Sequence, residues 1–236
     1  MEKNRHTSEL NVSEDFQKRL RKFCNSKSGL FKDKPIFNDI HYNHYSNCFN
    51  QIANNWRYNF LKKFKIKGQE FQTLSEIEVF SLFPNKNLEI KRTNGQTPDF
   101  ILKLNRDIIV DVYSAMHLLN SQKVGFDPGG PAKIVGEVTH HLRAALKDKF
   151  QKYSGYPLVV IINKNYSFID FDQIPYLDLT DYNGHENLSG FVLYESMQIN
   201  GKVKFRFEVV PYKNTKYLLS EKEVKFIENA FGKAYP

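Results

Sequence analysis

The apolar positions along this chain change their period as it proceeds, and the changes divide it. From Asp15 to Cys24, Phe16, Leu20 and Phe23 recur at three-to-four spacing behind Ser13 as N-cap. From His44 to Phe64 the same spacing runs through Phe49, Ile52, Trp56, Phe60 and Phe64. Such spacing lines one face of a helix, so residues 1–66 read as an N-terminal helical region. After Gly68 the texture shifts: Thr73 to Phe83 is apolar on almost every side, which predicts a helix buried all round and stopped by Pro84. Three strand candidates follow, Leu88 to Arg92, Asp99 to Leu104 and Ile108 to Tyr113, divided by turns at Asn94-Gly95 and Asn105-Arg106.

The loop from Lys123 to Pro131 leads into a predicted helix from Ala132 to Tyr153, with Val135, Val138, Leu142, Leu146 and Tyr153 along one side. Leu158 to Ile162 is an unbroken apolar run, as a strand buried on both faces requires. Strands near Gly190 to Tyr194 and Val203 to Val210 and a helix from Glu221 to Phe231 complete the chain. Helix, three strands, helix, buried strand is the order of an α/β fold with a mixed central sheet flanked by helices. Residues 67–236 form its sheet-containing domain.

Charge narrows the partners. The 236 residues carry 34 Lys and Arg against 26 Asp and Glu, a formal net charge of +8. That excess favours a polyanion, nucleic acid ahead of an anionic membrane surface. Two cysteines, Cys24 and Cys48, make neither a disulfide framework nor a zinc site, so a reducing compartment, the cytoplasm, is expected. No apolar run approaches the ~20 residues that span a bilayer, and the start lacks an apolar signal segment.

Two acids stand out because strands that read as buried should not contain them without cause. Asp99 opens the second strand in Thr97-Pro98-Asp99-Phe100, and Asp111 lies late in the third in Val110-Asp111-Val112-Tyr113. If those strands form a hairpin, the two carboxylates converge at one end and make a hard oxygen site suited to Mg²⁺ or Mn²⁺. Glu76, on the apolar helix before them, is a third charge that needs a partner. Taken singly, Pro-Asp is a common turn, Asp111 could pair with a nearby cation, and one of Glu76 and Glu78 could be solvated. Order and spacing together make coincidence the weaker account.

A helical acid, then Pro-Asp, then an acid after a hydrophobic strand resembles the signature of the PD-(D/E)XK nucleases, over roughly residues 70–165. The resemblance implies a restriction endonuclease-like fold and a metal-dependent nuclease, with DNA as the expected substrate because most relatives act on it. It implies that Asp99 and Asp111 hold Mg²⁺ or Mn²⁺ with the Val112 backbone carbonyl. Glu76 would bind the ion directly or through water, and is preferred to Glu78 because the first acid of such helices is the functional one. The sequence departs from the family at Tyr113, where the motif lysine belongs. A tyrosine with a pKa near ~10 cannot supply that charge. Either another lysine has moved in, with Lys91, Lys103 and Lys149 as candidates, or activity is weak or lost.

The predicted helix from Ala132 to Tyr153 is basic, and Arg143, Lys147 and Lys149 are its candidate nucleic-acid contacts. The run Lys62, Lys63, Lys65 and Lys67 reads as a solvated helix end. His140-His141 and Gly129-Gly130 carry no site. The expected function is a nuclease. Its alternative is a nuclease-fold protein that binds nucleic acid or a protein partner without cutting. The sequence leaves the oligomeric state open, a dimer included.

Overall fold

The run Leu158 to Ile162 forms the middle of the molecule. In the computed structural model it belongs to β4 (Leu158–Asn163), every residue of which is buried. The structure describes residues 2–26, 35, 37–90, 98–114, 143, 146, 147, 149, 150, 153, 155–165, 179, 180 and 184–232. On one side β4 pairs in parallel with β3 (Asp107–Ser114), followed antiparallel by β2 (Phe100–Lys103) and β1 (Leu88–Glu89). On the other it pairs in parallel with β5 (Leu188–Ile199), and β6 (Lys202–Pro211) returns antiparallel. The result is a six-stranded mixed sheet in the order β1-β2-β3-β4-β5-β6.

Alternation sends the side chains of β3 and β4 into two layers. Ile108, Val110, Val112, Val159 and Ile161 join one core, and Ile109, Tyr113, Leu158, Val160 and Ile162 the other. The first is covered by four helices, α1 (Glu2–Cys24), α2 (Asp39–Gln51), α3 (Asn54–Phe64) and α4 (Glu70–Leu82), with α5 (Glu221–Gly232) towards β6. Aromatic rings pack among the N-terminal helices and from them onto the sheet. Phe16 stacks on Phe49 at 3.9 Å, Trp56 and Phe60 meet Phe80 edge-on at 5.1 and 5.2 Å, and Phe80 meets Phe100 at 5.4 Å. The second core is covered by Leu146, Phe150, Tyr153 and Leu179.

The stretch from His44 to Phe64 is two helices rather than one. The chain is extended at Ile52 and Ala53, and Arg57 satisfies the carbonyls freed there, with Nε donating to Ile52 at 2.8 Å and Nη2 to Asn50 at 2.6 Å. Phe49, Ile52, Phe60 and Phe64 all stay buried, so the apolar period does not register the break. Ser13 is not an N-cap but lies inside α1, where its hydroxyl accepts from Arg57 Nη1 at 3.4 Å. Of the described residues of the strand predicted from Leu88 to Arg92, Leu88 and Glu89 pair with β2. Residues 91 and 92, the Asn94-Gly95 turn and the 123–131 loop lie outside the described residues, as does most of 132–153. Residues 143, 146, 147, 149 and 150 of that last segment are helical. Among the described residues no helix is long and apolar enough to cross a membrane.

One polar group is sealed inside the first core. Glu78, with no exposure, places Oε1 2.6 Å from His44 Nε2 and accepts from the Tyr194 hydroxyl on Oε2 at 2.8 Å. It ties α2, α4 and β5 together, so of the two acids on α4 Glu78 is occupied in the core.

Candidate active site

Gln72 and Glu76 stand four residues apart on α4 and so share a face, which lies against the end of β3. Gln72 joins the two elements. Its Nε2 donates to the Val112 carbonyl at 2.8 Å and to Glu76 Oε1 at 3.1 Å, and its Oε1 accepts from the Ser114 amide at 2.9 Å.

Asp99 sits just beyond the last β2–β3 pair, Phe100 with Val110. Its Oδ2 accepts the Val112 N–H at 2.8 Å, while its own N–H donates to Asp111 Oδ1 at 3.4 Å. The two strands therefore part around a carboxylate in place of a continued ladder, and this brings Asp99 to Asp111. The two acids are neighbours there, joined through the Asp99 N–H.

Two ammonium groups enter from opposite sides. Lys63, on α3, donates from Nζ to Glu76 Oε2 at 2.6 Å and to Asp99 Oδ1 at 3.2 Å. Lys149 donates to Asp111 Oδ2 at 2.8 Å, and the Tyr153 hydroxyl donates to Asp111 Oδ1 at 3.2 Å. The side chains of Glu76 and Asp111 are 5% and 6% exposed and that of Asp99 16%, whereas Lys63 is 45% exposed, so the cluster opens to solvent on the Lys63 side.

Lys63 thus joins Glu76 to Asp99, and Lys149 pairs with Asp111. Burial and the charge of Asp99 push Glu76 up to about 8, against the pull of Lys63 and Gln72. Lys63 is raised too, because Glu76 and Asp99 outweigh the effect of its burial. Burial, then the charges of Asp111 and Asp99, raise Tyr153 well above its ordinary range, so its hydroxyl stays a donor.

Of the other residues singled out in the sequence, Tyr113 is buried beside the Leu146 and Phe150 cluster, and burial pushes it up to about 12. It is therefore a neutral hydroxyl at ordinary pH. Lys103 does not reach the site but pairs with Asp107 at 2.7 Å and Glu89 at 3.2 Å, because beside a short hairpin turn those carboxylates are nearer. Lys91 lies outside the described residues. Lys149 is held by Asp111 rather than offered to a phosphate backbone, whereas Lys147 is exposed and Arg143 half-buried. Lys63 corrects the reading of a solvated helix end: its neighbours Phe60, Leu61 and Phe64 are buried, which turns its stem towards α4. Lys63, Gln72 and Tyr153 are the site residues that periodicity missed; the signal for Lys63 was the buried Glu76, which had to have a cation.

The donors nearby are all hard oxygen: the carboxyl groups of Glu76, Asp99 and Asp111 and the Val112 carbonyl. Their chemistry fits Mg²⁺ or Mn²⁺. As they stand, no three His, Cys, Asp or Glu side chains among the described residues form a group that could hold a metal ion. Lys63 lies between Glu76 and Asp99, and an ion at that corner requires its ammonium to withdraw. No known protein family, curated protein or solved structure matches this chain.

Proposed function

We propose that this protein is a metal-dependent nuclease that hydrolyses phosphodiester bonds in nucleic acid, on a site of the PD-(D/E)XK type. The observation that supports it most is the gathering of Glu76, Asp99, Asp111 and the Val112 carbonyl at the parting of β2 and β3, with Lys149 on Asp111. A bound Mg²⁺ or Mn²⁺ would polarise a phosphoryl oxygen and lower the pKa of an attacking water. Asp99, Asp111 and the Val112 carbonyl would hold the ion, with Glu76 beside them. Gln72 fixes that carbonyl and Glu76 relative to one another. Lys149 supplies the positive charge that Tyr113 lacks, and it does so from a helix on the other face of the hairpin. DNA rather than RNA follows from the resemblance noted in the sequence.

The lysine assignment has a direct test. Lys149→Met lowers metal-dependent cleavage of a DNA duplex by about 10- to 100-fold, the loss typical of a residue that orients a metal ligand. Tyr113→Lys does not raise cleavage, because it buries an ammonium among apolar side chains while Lys149 is already in place. An unchanged rate in Lys149→Met would remove Lys149 from the site.

Binding is tested separately. With a net charge of +8, affinity for DNA falls steeply with salt, at a slope of about −0.9 per phosphate neutralised. Lys147→Glu weakens binding to all sequences alike and flattens the slope by about 1 or more. Binding that ignores salt excludes the phosphate backbone as partner.

A second reading, a nucleic-acid-binding module that does not cut, is favoured by the fact that each site carboxylate already has a protein donor. It predicts salt-dependent binding with no cleavage in either metal, and no loss of binding in Lys149→Met.

A further inference from the structure

We propose that Lys63 is an internal counter-cation: its ammonium holds the acidic corner together when no divalent ion is bound, and withdraws from Glu76 and Asp99 when one enters. This deepens the metal-dependent reading above and rests on it.

Lys63 is the one described cation that joins two of the three acids, at 2.6 Å from Glu76 and 3.2 Å from Asp99. Those two carboxylates have no direct hydrogen bond of their own, so the ammonium is what lets them lie side by side. An ion taking oxygens from both would need the space that Nζ fills. The two cations are thus alternatives on steric and on electrostatic grounds.

The rest of Lys63 suits withdrawal. Its side chain is 45% exposed, so the ammonium has water on one flank, and its four-carbon stem turns by rotamer change with the helix fixed. Lys149 is less free to move: it is 16% exposed, and among the described acids it pairs with Asp111. Lys63 also belongs to α3, in the N-terminal helical region, whereas the acids belong to α4 and the hairpin. That region therefore supplies part of the site's charge balance, and occupancy by metal would release one of its links to α4.

The competition has a signature that a plain ion pair lacks. A group that stabilises only the metal-free form contributes to stability in EDTA and nothing when metal saturates the site. Lys63→Met keeps the stem and removes the charge; Lys63→Gln keeps a donor and serves if the methionine variant folds poorly. In EDTA, either variant should melt about 5 °C below the wild type, and the deficit should close in saturating Mn²⁺. Mn²⁺ should bind the variant about 10-fold more tightly by calorimetry or electron paramagnetic resonance. Lys62→Met, on the neighbouring exposed lysine, should change neither.

An equal melting deficit with and without Mn²⁺, or equal Mn²⁺ affinity in variant and wild type, overturns the role of Lys63 and leaves the metal site standing. Failure of both proteins to bind Mn²⁺ overturns both.

Discussion

Asp99→Asn is expected to fold normally and to lose Mg²⁺- or Mn²⁺-dependent cleavage by more than about 100-fold, beyond the usual loss of an outer-shell partner. Asparagine keeps the side-chain shape and an oxygen to accept the Val112 N–H, the bond that holds the parting of the hairpin at 2.8 Å. It removes the charge that the ion requires and that Lys63 partly balances. Because the charge of Asp99 is one of the two causes that raise Glu76 to about 8, Glu76 should also titrate lower in the variant. The check is a cleavage assay beside a melting curve. A variant that cuts as well as the wild type removes Asp99 from the chemistry.

The largest loss of stability is expected away from the site, at Glu78. It is fully buried and holds His44 and Tyr194, themselves buried, from two other elements. Glu78→Ala leaves an imidazolium and a hydroxyl without their acceptor in the core and opens a void. Breaking a buried pair in this way costs about 3–5 kcal/mol, or roughly 6–20 °C in Tm for a chain of this length.

His44 fixes the pH dependence of that contribution. Burial lowers its pKa, but the Cys48 sulfur and Glu78 outweigh burial and hold it at about 10, above the ordinary value of 6.5. A base raised on folding stabilises fully below its unfolded pKa and loses that contribution as pH rises. The wild type should therefore lose stability between about pH 6.5 and 10, and Glu78→Ala should lose the Glu78 share of that dependence while the Cys48 share remains. Denaturant unfolding across that range measures it. Equal pH profiles in the two proteins would show that His44 is not held protonated by Glu78.

The parts of the fold that could be read from the sequence are those in which burial leaves a local mark. Leu158 to Ile162 had to be buried on both faces, and it is the central strand. The stretch from Thr73 to Phe83 had to be inside, and α4 is. Asp99 and Asp111 stood out because charge in an apolar strand needs a reason, and they meet where their strands part.

What stayed hidden depends on groups far apart in the chain. The break at Ile52 and Ala53 is stabilised by Arg57, through bonds to carbonyls that carry no side-chain signal. Lys63 lies 13 residues from Glu76 and 36 from Asp99, and its neighbouring lysines point elsewhere. Lys65, two positions on, reaches Asp15 instead. Lys149 pairs with Asp111 and Lys103 with Asp107 and Glu89, a difference set by the packing of a distant helical segment against β3. Glu76 and Glu78 were likewise separable only by what meets them, solvent-facing Lys63 for one and the sealed His44 and Tyr194 for the other.

The claim on which the rest depends is that Glu76, Asp99, Asp111 and the Val112 carbonyl are the seat of a divalent ion. Crystals soaked in millimolar Mn²⁺ and measured at the manganese absorption edge test it most directly. The account predicts one anomalous peak within about 2.3 Å of Asp99, Asp111 and the Val112 carbonyl oxygen, with the Lys63 ammonium drawn back from Glu76. Lys63 still bridging Glu76 and Asp99 in soaked crystals, with no manganese peak at the parting of β2 and β3, would contradict it.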